Sequence, residues 1–153
     1  MGGINVDGLK WRGELRIEVV RQGRVIARET RSNLITDKGL DFLAGALAQV
    51  HKANGGITKI AVGTGSAAPA AGDTALGAEV YRAEIDSVSV SATGQIEIKA
   101  HIPDYAANVQ IEEIGFFTEG TGAVDLFSRI LYSRLKNSTE QINLVYTGTI
   151  GRV

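Results

Sequence analysis

Alternating polar and apolar residues mark the beginning of the chain as extended. From Gly13 to Arg21 every second residue is apolar, and charged residues occupy most of the positions between. Gln22-Gly23 then offers a tight turn into a second stretch, from Arg24 to Arg31. The pattern therefore predicts an opening β-hairpin. The apolar face of its first strand carries Leu15, Ile17 and Val19.

A spacing of three and four residues replaces this alternation after residue 35. Thr36 can cap a helix, and Asp37 favours its positive N-terminal end. Asn54-Gly55-Gly56 suits a left-handed cap at the other end. We predict one helix, packed on a sheet through Leu40, Leu43 and Leu47. The apolar residues that define its spacing are Leu40, Leu43, Leu47 and Val50.

Short strands separated by turn sequences fill the rest of the chain. Gly63 to Gly77 has almost no large side chain, which predicts a surface loop that is mobile in an isolated subunit and ordered by neighbouring subunits. A hairpin turns at Thr93-Gly94, and the shift in apolar phase between Ile85 and Val88 predicts a bulge in its first strand. The predicted strands are Ile57 to Val62, Tyr81 to Ser91, Gln95 to Ile102, Val109 to Thr118, Val124 to Arg134 and Gln141 to Ile150.

These elements predict a mainly β chain, an antiparallel β-sandwich of about eight short strands with one short helix; a small barrel is the alternative. The 153 residues are long enough for one core. We expect an N-terminal arm, residues 1–12, followed by a single sandwich domain, residues 13–153. The strand from Val124 to Arg134 is apolar on both faces, so it is either central in the fold or covered by a neighbouring subunit.

Composition narrows the classes of function. The net charge of −1 offers no broad basic field for nucleic acid. The chain has no cysteine, which excludes disulfides and thiolate chemistry. Neither a signal peptide nor an apolar run long enough to span a bilayer is visible, so we expect a soluble, unsecreted protein without a membrane partner.

No combination of residues predicts catalysis, a cofactor or a metal. His51 and His101 each lack a second ligand at a metal-binding spacing. Glu112 and Glu113 are neighbours on a strand and point to opposite faces, so they cannot flank one bond. Residues 63–68 resemble a phosphate-binding loop, but no amphipathic helix follows them. Asn137-Ser138-Thr139 is read as a polar turn. The chain is therefore predicted not to be an enzyme.

Three segments resemble bacteriophage tail-collar fibre and related small tail proteins. They are Ser32 to Gly39, then Ile57 to Gly65 with the Gly72-Asp73-Thr74-Ala75-Leu76 loop, and Glu113 to Phe117 with Leu126 to Arg129. The resemblance implies a β-rich virion module, made in the host bacterial cytoplasm and present in many copies. It brings no catalytic residues. A capsid decoration (cement) protein or head-fibre protein is the nearest alternative. A carbohydrate-binding module contacting a host-surface glycan is a more remote one, because few aromatic residues are available for stacking on sugars.

The expected partners are other copies of the chain and other tail, collar or capsid proteins. The strands 109–118 and 124–134 carry more large apolar residues than one buried face needs, so we place the assembly interface there. Trp11 either anchors in a partner's groove or folds back on its own core. The predicted interface residues are Trp11, Glu113, Phe116, Phe117, Phe127, Arg129, Leu131 and Arg134.

Overall fold

Two antiparallel five-stranded sheets face each other in the computed structural model, which describes residues 9–47, 56–119 and 124–152. The predicted β-sandwich with one short helix is confirmed. The described residues form ten strands, because one two-residue strand was not foreseen and one predicted strand is divided in two. The elements are β1 (Leu9–Arg21), β2 (Arg24–Ser32), β3 (Leu34–Ile35), α1 (Asp37–Leu47), β4 (Gly56–Gly63), β5 (Glu79–Glu84), β6 (Ser87–Ala92), β7 (Gln95–Ile102), β8 (Gln110–Glu119), β9 (Val124–Leu135) and β10 (Glu140–Arg152).

The first sheet has the strand order β2-β1-β10-β7-β6. The opening hairpin is present, and Gln22 and Gly23 both adopt positive φ angles, 50° and 74°, as its tight turn requires. The proposed N-terminal arm is too long, because β1 begins at Leu9 and Trp11 already pairs with Ile150 of β10. Residues 9–12 are therefore part of the sheet, and residues 1–8 lie outside the described chain.

The second sheet has the strand order β3-β9-β8-β4-β5. The prediction of one continuous strand from Tyr81 to Ser91 is wrong, because β5 pairs with β4 in the second sheet and β6 pairs with β7 in the first. The chain crosses between the sheets at Ile85 and Asp86. The change of apolar phase that resembled a bulge therefore marks a change of sheet: the side facing the core reverses when the chain enters the opposite layer.

The core fills the space between the two sheets. Alternate residues of β1, β7 and β10 meet alternate residues of β4, β8 and β9, as expected for packed faces with a period of two. Near its centre, the rings of Phe116 and Tyr146 are tilted against each other at 4.7 Å, and both side chains are fully buried.

Thr36 caps α1 as predicted. Its Oγ1 accepts a hydrogen bond from the Gly39 amide at 3.0 Å and donates to the carbonyl of Leu126 at 2.5 Å, which fixes the start of the helix to β9. Gly39 permits this close approach, since a Cβ there would lie 2.6 Å from the carbonyl oxygen of Phe127.

The face by which α1 packs differs from the predicted one. Phe42 and Leu43 pack against the core, whereas Leu40 is 50% exposed. Gly39 lies against β9, and Leu40, the next residue, is on the exposed side of the helix. The Leu47 side chain, Val50 and the predicted helix end at Asn54-Gly55 lie outside the described residues.

Paired leucine truncations should reveal this orientation. We expect Leu43→Ala to lower the free energy of unfolding by about 2 kcal/mol, the lower end for a buried leucine, because its side chain is only partly buried. Leu40→Ala should change it by less than about 0.5 kcal/mol. Urea unfolding of both variants measures the difference, and equal losses would contradict the helix orientation.

Candidate assembly site

Five of the eight predicted interface residues are buried inside the subunit. The exposed fractions are 0% for Glu113 and Phe116, 1% for Phe127, 2% for Phe117 and 3% for Arg129. These side chains offer no free surface to a partner, so the prediction that they form an assembly surface needs correction. The surplus of large residues on β8 and β9 is used within the fold.

The physical reason is that both faces of these strands are covered by the same chain. The first sheet covers one face. The loop of residues 64–78 folds over the other, where Leu76 joins Ala61, Phe117 and Leu126 in a second apolar cluster. Gly115 makes room for it, because a Cβ at that position would lie 2.8 Å from a methyl group of Leu76. The guanidinium of Arg82 stacks over the Phe117 ring at 4.0 Å and covers the cluster further.

A buried carboxylate holds this loop in place. Glu113 accepts hydrogen bonds from the backbone amides of Gly65 at 3.0 Å, Gly77 at 2.9 Å and Ala78 at 2.8 Å. It thus joins the beginning of the loop to its end. We call Glu113, its ion-pair partner Arg129 and the loop residues bound to them the loop clasp.

Arg129 forms the other half of the loop clasp. Its Nε donates to Glu113 at 2.7 Å, and its Nη1 donates to the carbonyl of Ala67 at 2.8 Å. Asp73, in the same loop, lies 3.5 Å from the guanidinium. The pair is almost completely removed from water, where an ion pair is stable only if other hydrogen bonds satisfy its remaining polar atoms. The loop backbone supplies those bonds.

The loop is therefore anchored mainly by backbone hydrogen bonds, and Leu76 is its one large buried side chain. The amide of Asp37, at the start of α1, also donates to the carbonyl of Ala71 at 2.8 Å. These contacts lie within one subunit, so they provide an order that the sequence interpretation assigned to neighbouring subunits.

Glycines are required where the loop meets Glu113. A Cβ at Gly65 would lie 2.7 Å from the Glu113 carboxylate, and one at Gly63 would collide with the same oxygen and with the carbonyl of Ala78. This explains the resemblance of residues 63–68 to a phosphate-binding loop, because loop amides do gather around an anion here. That anion is the carboxylate of Glu113.

The pKa of Glu113 is lowered below its usual value. Burial alone would raise this pKa, but the amides of Ala78, Gly77 and Gly65 and the guanidinium of Arg129 together outweigh burial by stabilising the charged form. Because the folded-state pKa lies below that of the unfolded chain, the carboxylate contributes stability above the unfolded value of about 4.5. That contribution is lost as the pH falls through the folded-state pKa.

Acid should therefore loosen the loop clasp. We expect the wild-type free energy of unfolding to decline below about pH 4.5, and Glu113→Gln to lose part of this dependence along with its stability at neutral pH. Urea unfolding at a series of pH values measures both. Glu112→Gln is the control, since it removes a neighbouring carboxylate that the loop does not use. Identical acid profiles for the two variants would contradict the assignment.

Trp11 folds back on its own core, the second of its two predicted alternatives. Its ring meets Phe127 edge to face at 5.5 Å, and its Nε1 donates to the hydroxyl of Tyr146 at 3.3 Å. Asn33 donates to the same hydroxyl at 2.6 Å. Burial raises the pKa of Tyr146 to about 12, so this hydroxyl stays protonated. Part of Trp11 remains exposed, and a contact of that part with a partner stays a prediction.

Leu131 and Arg134 keep some exposed surface, and their place in an interface also stays a prediction. Arg134 donates to the buried Glu140 at 2.8 Å, and Arg21 donates to the same carboxylate at 2.9 Å. The hydrogen bond from Arg134 is the main reason that the pKa of Glu140 is lowered. Arg129 and Arg134 thus pair with Glu113 and Glu140 inside one subunit.

Asp73, Leu76 and Glu140 were missed as structural residues by the sequence interpretation. A large apolar residue in an otherwise small-residue loop was the one available indication for Leu76.

The two histidines do not form a site in the described residues. His101 pairs with Asp86 at 2.8 Å, and His51 lies outside the described residues. Within residues 9–47, 56–119 and 124–152, no group of three or more metal-ligating side chains occurs, and no helix is long and apolar enough to cross a membrane.

Comparison with known proteins gives one family match. No curated protein and no solved structure matches the chain. The family model of the phage tail-collar fibre protein, N-terminal, matches residues 29–124, more than half of the chain. The match contains Thr36, the whole loop and Glu113, and it ends just before Arg129. By this match the chain belongs to the phage tail-collar fibre protein family.

Proposed function

We propose that the chain is a non-enzymatic structural subunit of a bacteriophage tail, located at the collar or at the baseplate and fibre attachment region. There it forms a homo-oligomer and contacts other virion proteins. The observation that carries the proposal is the family match over residues 29–124. That family is structural, and its members belong to the phage tail.

The geometry of the loop clasp supports a structural role. The most unusual polar group of the matched region, the buried carboxylate of Glu113, is saturated by loop amides and Arg129. A carboxylate held in this way is occupied in fixing the fold. It leaves a preformed sandwich whose outer surface is available for contacts with other subunits.

Locating the chain in the particle tests this proposal. An epitope tag placed on the N-terminus, before residue 9, should label the tail or its junction with the head when intact particles are viewed by immunoelectron microscopy. Particles made without the chain should lack fibres or show incomplete tails, while their filled heads remain intact. An untagged chain is the control for labelling.

A regular label over the head would contradict the tail position and favour the capsid decoration alternative. Label on free protein only, with complete and infectious particles made in its absence, would contradict a structural role in the virion. The oligomeric state is measured separately, by the mass of the purified chain in light scattering across a range of concentrations.

A further inference from the structure

The edges of the two sheets differ in how they are protected from pairing with other strands. Four described strands lie at sheet edges: β2, β3, β5 and β6. β2 carries Arg24, Arg28, Glu29 and Arg31, and β5 carries Glu79, Arg82 and Glu84. Charges on an edge strand disfavour uncontrolled pairing. β3 has only two residues, too few to guide a partner.

β6 alone among these edges has six residues and no charge. Its sequence is Ser-Val-Ser-Val-Ser-Ala, without proline or glycine, and all six residues are exposed. Val88 is 54% exposed and Val90 is 79% exposed, although both have the β-branched side chains that prefer a covered strand. One side of β6 pairs with β7, and no strand of the described residues pairs with its other side.

The sequence of β6 is complementary to itself in the antiparallel direction. With a two-fold axis at Ser89, Val88 of one copy faces Val90 of the other. The β6–β7 ladder is regular from Ser87 to Val90 and shifts register only between Val90 and Ala92, so the regular part of β6 contains the axis and both valines. The valines continue the row formed by Ile98 and Ile96 of β7, which pair with Val88 and Val90. Across the four strands at the contact between the two copies, each row of side chains would then consist of isoleucine, valine, valine and isoleucine. Such cross-strand neighbours stabilise one another.

Charge permits this pairing as well. The serine face of β6 lies beside Glu97 and Lys99 of β7, which pair with Ser89 and Ser87. In the two-fold arrangement the two Glu97 residues are three strand spacings apart, roughly 14 Å, far enough for weak repulsion. Pairing of two copies through β2 would instead bring three arginines from each copy together at the contact, where their charges repel.

We propose that β6 is the assembly edge of this protein, and that two copies of the chain pair through β6 in antiparallel fashion to form a continuous sheet of ten strands. The inference rests on the proposed function only in the assumption that identical copies meet. It specifies the surface, the symmetry and the residue on the axis. Two-fold contacts of this kind use the same patch on both subunits, as a self-complementary strand requires.

A cysteine on the axis tests the geometry, because the wild-type chain has none. Ser89→Cys should form a disulfide-linked dimer on mild oxidation, since two residues directly opposite in an antiparallel pair come within disulfide distance. Thr30→Cys, on the exposed and charged edge strand β2, is the matched control and should stay monomeric in a denaturing gel. Crosslinking of the control with none at residue 89 would overturn the proposal.

A charge on the edge tests its energetic role. Val90→Lys should shift the mass in light scattering from two chains to one at concentrations where the wild type is dimeric, because it places a lysine in an apolar row. Val25→Lys, at the β2 edge where Val25 is 46% exposed, should leave the dimer intact. Circular dichroism establishes that both variants fold.

The remaining outcomes separate this proposal from the proposed function. An oligomer that survives Val90→Lys and forms no disulfide at residue 89 would overturn the β6 edge and leave assembly in place. A wild-type chain that is monomeric at all concentrations would overturn both the β6 pairing and the homo-oligomer, but not membership of the tail family. Dimerisation only after removal of residues 1–8 would show that this segment occupies the edge, and would also overturn pairing in the intact chain.

Discussion

Glu113→Leu is expected to lower the free energy of unfolding by about 3 to 5 kcal/mol, the usual cost of removing one partner from a buried ion pair. The change leaves the guanidinium of Arg129 without its main partner at a site only 3% exposed. It also leaves the amides of Gly65, Gly77 and Ala78 without their acceptor. Urea unfolding measures the loss, and amide hydrogen exchange should show that these three amides lose protection in the isolated subunit.

Arg129→Met should cost less than Glu113→Leu, because Glu113 keeps its three backbone hydrogen bonds. In the double variant, the two losses should not add, since removing both charges leaves neither one buried alone. The surface pair Arg28–Glu18 is a matched control with a similar distance, 3.0 Å. Its removal should cost less than about 1 kcal/mol. Comparable losses for the surface pair and the loop clasp would refute the structural importance of Glu113.

Phe127→Ala is expected to lower the free energy of unfolding by about 3 to 5 kcal/mol, because a large ring is removed from a packed core. Phe127 is 1% exposed and lies edge to face with both Trp11 and Phe42, at 5.5 Å and 6.5 Å. Phe127→Asp should prevent folding altogether, since it buries a charge without a partner. Thermal unfolding followed by circular dichroism measures both variants.

The control for Phe127 lies on the same strand. Leu135 is 69% exposed, and Leu135→Ala should change the free energy of unfolding by less than about 0.5 kcal/mol. A Phe127→Asp protein that folds normally but no longer assembles would show that Phe127 lies on the subunit surface, and would contradict the described core. The variant thus separates the two interpretations of the doubly apolar strand.

The loop clasp gives a physical meaning to the segments that carry the family resemblance. The glycines at 63 and 65 allow the loop to approach Glu113, Leu76 fills the space above Gly115, and Arg129 closes the pair from the neighbouring strand. These positions are far apart along the chain but meet on one face of the second sheet. These positions therefore form one structural unit, and a substitution at any of them should loosen the same loop.

Local sequence patterns were sufficient for the features that depend on neighbours along the chain. Alternation placed Leu15, Ile17 and Val19 on the core side of β1, and Gln22-Gly23 gave its turn, because strand period and positive φ are local properties. Thr36 marked the start of the helix for the same reason. The sandwich class and the family followed from these elements and from the resembling segments.

What covers each face of a strand could not be predicted in this way, because it depends on how the sheets, the loop and the helix pack together. A strand period shows that β9 has two apolar faces, but it does not show whether a loop or a second subunit lies on the outer one. The loop does so here because Glu113 and Arg129, sixteen residues apart, meet on adjacent strands and bind its backbone. The exposed strand β6 was likewise predicted as part of one longer strand, because the apolar pattern shows a change of phase but does not show that the chain moves to the other sheet. Side-chain period is a property of one strand, whereas burial depends on the layer placed against it.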